Sequence, residues 1–132
     1  MATSVETIVL RFVDAINQAD VARLGALISE SHIFIDSDGS QVAGRASVLG
    51  AWSQYFSMMQ DYRVTVRETF RSADTVVLLG TAEGAWRRSG SSGGERRWSV
   101  PAAWRAVVHG EALAVWQVFV NPEPIVAAMR GD

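Results

Sequence analysis

The chain has no cysteine and no lysine. The first absence removes disulfides, thiolate nucleophiles and thiolate metal sites. The second removes Schiff-base chemistry through a lysine, since all 12 basic residues are arginine. Histidine occurs only at His32 and His109, so catalysis would rest on carboxylates, hydroxyls or a lone imidazole. Basic excess is missing too: 12 basic against 14 acidic residues leave a net charge of -2, which gives no electrostatic case for nucleic acid as a partner. Long apolar runs are absent. A stretch such as Val76-Val77-Leu78-Leu79 falls far below the roughly 20 residues of a membrane span. Glu6 lies in the first turn and no basic lead into an apolar run is seen, so no secretory signal and a cytoplasmic location are expected.

What is present is globular composition. The 132 residues are 48% hydrophobic and 20% charged, which suits one domain spanning residues 1–132 with no room for a second core. Thr3 and Glu6 fit a capping box for a first helix with Ile8, Val9, Phe12, Val13 and Ile16 on one stripe. Asp20 is placed to cap a shorter second helix burying Leu24, Leu27 and Ile28. From His32 to Asp36 the period turns to that of a strand, stopped by the turn residues Ser37-Asp38-Gly39-Ser40. Gly44 opens a third helix with Val48, Trp52, Tyr55, Phe56 and Met59 on one face. Strands are then expected over Tyr62–Phe70, Thr75–Arg87, Trp98–Val108 and Glu111–Val120, with a flexible hairpin tip at Ser89–Gly94. Asn121-Pro122 caps a last helix carrying Ile125, Val126 and Met129. Helices followed by hairpin-joined strands make an α+β fold with a mostly antiparallel sheet.

Strand alternation says which faces could enclose space. Even positions of the Thr75 strand are Val76, Leu78, Gly80, Ala82, Gly84 and Trp86. Those of the next strand are Trp98, Val100, Ala102, Trp104, Ala106 and Val108, with Arg105 on the other side. Large aromatics beside glycine and alanine leave volume for the third helix or for a ligand. The last strand is apolar on both faces: Leu113, Val115, Gln117 and Phe119 on one, Ala114, Trp116, Val118 and Val120 on the other. A homodimer packed sheet to sheet is the favoured explanation, the alternative being cover by the chain itself.

The run Arg11-Phe12-Val13-Asp14-Ala15-Ile16-Asn17, then Asp20, Phe34-Ile35-Asp36 with Gly39, and Gly44-Arg45 opening a helix with Trp52 and Tyr55-Phe56, resembles the nuclear-transport-factor-2-like superfamily, in its SnoaL-like and ketosteroid-isomerase-like branch. Gly84, Pro101-Ala102-Ala103-Trp104 and His109-Gly110 fit the same pattern, so the resemblance covers nearly the whole chain. It implies a cone-shaped α+β barrel, a strongly curved sheet wrapped around three helices, with a pocket between them and frequent homodimers through the outer sheet face. It also implies that Asp36 occupies the position of the carboxylate that shuttles a proton in the steroid isomerases. In those enzymes the aspartate base faces an oxyanion hole made by a tyrosine and a protonated aspartic acid. The matching positions here are Phe12 and Ala102, which donate nothing. Losing one such donor costs about 10²–10³ in rate, so steroid isomerisation is disfavoured.

Asp36 is therefore the candidate general base, the competing reading being a turn-capping carboxylate on the Asp38 and Gly39 amides. Phe12, Phe34, Trp52, Tyr55, Phe56, Trp86, Ala102, Trp104, Gln117 and Phe119 are the candidate ligand-binding residues, with Tyr55 and Gln117 as neutral orienting groups. Trp98 joins the candidate aromatics, although aromatics at such spacing are more often plain core. His32 and Asp36, roughly 13 Å apart along a strand, are too distant to share a metal or a proton. No metal site and no cofactor are expected. Arg87, Arg88, Arg96 and Arg97 flank the Ser/Gly tip as a solvated hairpin or, alternatively, as a gate for a carboxylate-bearing ligand. The expected function is binding of a small apolar, polyketide- or steroid-like molecule. Cofactor-free isomerase-, cyclase- or hydratase-type chemistry through Asp36 would accompany it; the alternative is a non-catalytic binding or dimeric interaction module with Asp36 structural.

Overall fold

A computed structural model of the chain describes residues 3–87 and 94–131, with the backbone only at Arg87. Helix α1, Val5–Asn17, buries Ile8, Val9, Phe12, Val13, Ala15 and Ile16 on one face, as the spacing of its apolar residues demands. Its cap is Ser4 and not Thr3: the Ser4 hydroxyl accepts from the Thr7 amide at 3.2 Å. Helix α2, Val21–Leu27, is capped by Asp20, whose Oδ1 accepts from the Arg23 amide at 3.1 Å. Ile28, expected on this helix, is the first residue of strand β1, Ile28–Ile35, and is buried there.

A short strand that no sequence pattern announced, β2 at Gln41–Ala43, returns from the Ser37–Ser40 turn to pair with β1. Gly44 then caps helix α3, Arg45–Met58, and its amide donates to the His32 carbonyl at 2.8 Å. Strands β3 (Met59–Ser72), β4 (Thr75–Arg87), β5 (Glu95–His109) and β6 (Ala112–Val120) follow as antiparallel neighbours, and helix α4 (Glu123–Arg130) ends the chain. Of the expected Ser89–Gly94 tip, only Gly94 lies within the described residues. On α4 Ala128 is buried and Ile125 packs against the core, while Met129, expected on the same face as Ile125 and Val126, is 38% exposed.

The sheet order is β2-β1-β6-β5-β4-β3, mostly antiparallel with β1 and β6 parallel. The sheet curves without closing, so the architecture is an open α+β cone and not a completed barrel. Helix α1 lies across its concave side, touching β3, β4, β5 and β6, and α3 reaches β1 and β3. Bulges bend the strands at β3 and between β5 and β6. The second explains β6. Val107 pairs with Val115 and Val108 with Leu113, so Ala114 is the extra residue and alternation reverses across it. Leu113 and Trp116 are consequently both buried, although simple parity puts them on opposite faces. Among the described residues no helix is long and apolar enough to cross a membrane.

Two polar side chains lock this core. Asn17 pairs like a strand with β3, its Nδ2 donating to the Val64 carbonyl at 2.9 Å and its Oδ1 accepting from the Val64 amide at 2.7 Å. His32 is fully buried, and its Nδ1–H donates to the Leu113 carbonyl at 2.7 Å, bridging β1 to β6. Burial lowers its pKa from the ordinary 6.5, against the opposing pull of that hydrogen bond.

Asn17→Ala leaves both Val64 backbone groups unpaired and is expected to lower stability by about 1–3 kcal/mol, read from the urea midpoint. The depressed His32 pKa means that the unfolded chain takes up its proton first. Its contribution is therefore complete above the ordinary value and is lost as pH falls through the lowered one. Melting temperatures measured from about pH 8 down to about pH 5 are expected to fall, with a shallower slope in His32→Asn, which keeps a donor toward Leu113 but cannot titrate.

Candidate functional site

Packing on the concave face decides where space remains. Trp98 on β5 opposes Gly84 on β4, and a Cβ at Gly84 would lie 2.9 Å from the indole. Gly80 opposes Ala102 and also lets β3 cross close behind it, since a Cβ there would strike the Thr65 carbonyl. Trp98 is held in turn by its Nε1–H, which points at the Met59 sulfur at 3.0 Å. With indoles fixed beside residues that carry little or no side chain, the helices do not fill the cone. A cavity of about 370 Å³ remains.

The cavity wall draws on every layer. β1 and the turn after it supply Phe34, Asp36 and Ser37; α3 supplies Val48, Ala51, Trp52 and Tyr55; β3 supplies Tyr62. Trp98, Trp104, Trp116, Val118 and Val120 come from β5 and β6, and Pro122, Ile125 and Val126 from the start of α4. Rings meet edge to face or tilted: Phe34 and Trp52 centroids are 6.1 Å apart, Tyr55 and Tyr62 5.0 Å, Tyr62 and Trp98 6.1 Å.

Of the candidate residues named from the sequence, Asp36, Phe34, Trp52, Tyr55 and Trp104 come together in this wall, as does Trp98. Phe12 is a layer deeper, completely buried, 4.9 Å from Trp116 and 6.2 Å from Trp52, and forms the floor beneath the wall. Phe56 stacks on Trp52 at 5.4 Å, behind it as seen from the cavity wall. Trp86 and Ala102 do not border the space. Gln117 and Phe119 belong to the convex face: Gln117 accepts from Arg105 at 3.4 Å across the β5–β6 pair, and Phe119 is 49% exposed. Arg97 pairs with Asp61 and Glu95, and neither it nor Arg96 is part of the wall. The side chain of Arg87 and all of Arg88 fall outside the described residues.

Sequence reasoning overlooked Tyr62, Trp116, Val118, Val120 and the α4 residues as wall residues. The first had a usable signal, a phenol at a strand start directly after an aromatic helix face. The α4 residues had none, because only tertiary packing brings that helix across β4 and β5.

Asp36 follows β1 immediately and is exposed. Its Oδ1 accepts from the Ser37 amide at 2.7 Å, and its backbone carbonyl takes the Gly39 amide at 2.9 Å. The turn's side-chain cap is Asp38, whose Oδ1 accepts from the Ser40 amide at 2.9 Å; the Ser40 hydroxyl first, and that amide second, hold its carboxyl below the usual range. Asp36 Oδ2 thus has no hydrogen-bond partner among the described residues. Nor do the Tyr55 and Tyr62 hydroxyls, and neither is sealed from open space. Burial pushes both phenols well above their ordinary value. Tyr55 is raised further by the Asp36 charge, and Tyr62 by Tyr55 and then Asp36. Both therefore stay protonated at neutral pH, each hydroxyl with a proton free to donate. Asp36 is the only carboxylate in the wall, and no Arg or His borders it among the described residues. No cluster of three metal-ligating side chains occurs among them either.

Similar architectures are known. A protein of ketosteroid isomerase-like fold from Catenulispora acidiphila DSM 44928, solved in complex with trimethylamine, is 20% identical over 93% of this chain and 92% of its own, with a TM-score of 0.79. A protein named as a SnoaL-like polyketide cyclase from Shewanella denitrificans OS-217 is 12% identical over 97% and 98%, with a TM-score of 0.84. AclR from Streptomyces galilaeus, named as a hydroxylase, is 15% identical over 96% and 84%, with a TM-score of 0.77. At these identities the likeness speaks for the fold alone. No curated protein matches the sequence. The SnoaL-like domain model, however, matches residues 9–118, from the buried stripe of α1 to the cavity-lining Val118, and the chain belongs to the SnoaL-like domain family.

Proposed function

We propose that the chain binds a small, largely apolar organic molecule in this cavity and acts on it by cofactor-free acid–base chemistry, with Asp36 as the proton acceptor. One observation carries the reading: an aromatic wall bordered by a single carboxylate with an unpartnered oxygen and by two protonated phenols with unpartnered hydroxyls. A carboxylate beside an apolar space is suited to taking a proton from a bound carbon or hydroxyl acid. Tyr55 and Tyr62 are suited to hydrogen-bond the oxygen on which charge then develops, a task that Phe12 and Ala102 cannot perform. Isomerase-, cyclase- and hydratase-type reactions all use this pair of roles. The names of the structural neighbours, a polyketide cyclase and a hydroxylase among them, agree with small-molecule chemistry in this fold. A second reading, a binding module without turnover, draws on the exposure of Asp36 and its bond to Ser37.

The two separate on Asp36→Asn. A ligand is first found by thermal shift against small aromatic, polyketide-like and steroid-like compounds; saturation at a hundred times Kd is worth about 2.7 kcal/mol of stability. With that compound, Asp36→Asn is expected to lower turnover by at least about 10², a loss in kcat well beyond any change in Kd. Unchanged turnover removes Asp36 from the chemistry.

The convex face supports a homodimer packed sheet to sheet. Val77, Leu79, Ala103, Val107, Val115 and Phe119 share it, and Phe119 is half exposed. Sedimentation of the parent chain is expected to give a dimer, and Phe119→Glu a monomer with unchanged circular dichroism. A parent chain that sediments as a monomer refutes the arrangement.

A further inference from the structure

We propose that the molecule this cavity accepts is a cation, a tertiary or quaternary alkylammonium carried on an apolar body. The inference rests on the cavity being the ligand site, as argued above, and assigns the charge of what enters it.

Three features of the wall converge on this. The first is its sign. Asp36 is the only ionised side chain bordering the cavity among the described residues, and it keeps one carboxylate oxygen without a partner. An anionic ligand would meet that charge with no arginine or histidine in the wall to offset it. The second is the density of electron-rich rings. Four of the chain's five tryptophans and both tyrosines border this one space. Tyr62 packs on Tyr55, Trp98 and Trp52 with ring centroids 5.0, 6.1 and 6.5 Å apart, so these rings make one continuous aromatic wall along the space. Alkylammonium groups are recognised by aromatic walls, because each ring face carries partial negative charge while the methyl groups of the cation are themselves apolar. The third is the field. The Asp36 charge disfavours a second negative charge on Tyr55 and Tyr62, and the same potential favours a positive one at that end of the cavity. A neutral hydrocarbon would fill the space but would gain nothing from the carboxylate. A primary ammonium would lose more hydration than rings can return. A tri- or tetra-substituted ammonium is weakly hydrated and matches both the rings and the charge.

Two probes of equal shape separate charge from hydrophobicity: choline, and its neutral carbon counterpart 3,3-dimethyl-1-butanol. Each is titrated into the intact protein by calorimetry and by tryptophan fluorescence at low ionic strength. Choline is expected to bind at least about tenfold more tightly than the alcohol. That preference should shrink several-fold in Asp36→Asn, an exposed position where folding is not at stake, and in Tyr55→Leu. Equal or tighter binding of the alcohol overturns the cation assignment while leaving the cavity as an apolar ligand site. Binding of choline that neither substitution alters also overturns it, since the cation then sits elsewhere. If neither probe binds and no compound of the apolar panel raises the melting temperature, the cation assignment and the ligand-site reading fall together.

Discussion

Bulky indoles set against residues with little or no side chain keep the concave face of this sheet from packing shut, and the rest of the molecule is arranged around that mismatch. Trp98 can sit against β4 only because Gly84 carries no Cβ, and β3 can pass behind Gly80 for the same reason. Protein interiors are otherwise packed to crystal-like density, so a void of about 370 Å³ in a domain this small is a built feature that surrounding structure must hold open. Asn17 fixes α1 to β3, His32 ties β1 to β6, and Phe12 closes the floor.

The same arrangement separates two polar economies. Below the cavity, Asn17 is committed to backbone, and His32 is buried with its pKa lowered by desolvation, its Nδ1 bonded to Leu113 and its Nε2 without a partner. At the mouth, Asp36, Tyr55 and Tyr62 hold unpartnered oxygens. The neighbours in fold space share the cone at identities of 12–20%. Chemistry must therefore be argued from these side chains and not from the architecture.

Much of this was legible in the amino-acid order. Alternation in β4 and β5 placed Trp98 and Trp104 on the inner face correctly, because those strands pair without interruption from Thr75 to Arg87. Where a strand bulges, alternation misleads. Ala114 is the extra residue in β6, so parity counted through it placed Leu113 with the outward Gln117 and Phe119. Gln117 was a plausible polar guide for a ligand until its partner proved to be Arg105 on the convex side. The strand β2 is only three residues long, and nothing in Gln41–Ala43 distinguishes it from loop until β1 pairs with it.

The sequence alone determined the α+β class, the order of the long elements and the chemical inventory: no thiol, no lysine, few imidazoles, and one carboxylate at the end of the first strand. Those follow from local periodicity, turn chemistry and composition, each of which acts over a few residues. Only the tertiary structure decided that the sheet stays open at its edges, that Tyr62 joins Tyr55 beside Asp36, and that α4 completes the wall. These depend on contacts between segments far apart in the chain and on how bulges turn strands. Such contacts are set by the shape of the whole packed core, which no short stretch of residues encodes by itself.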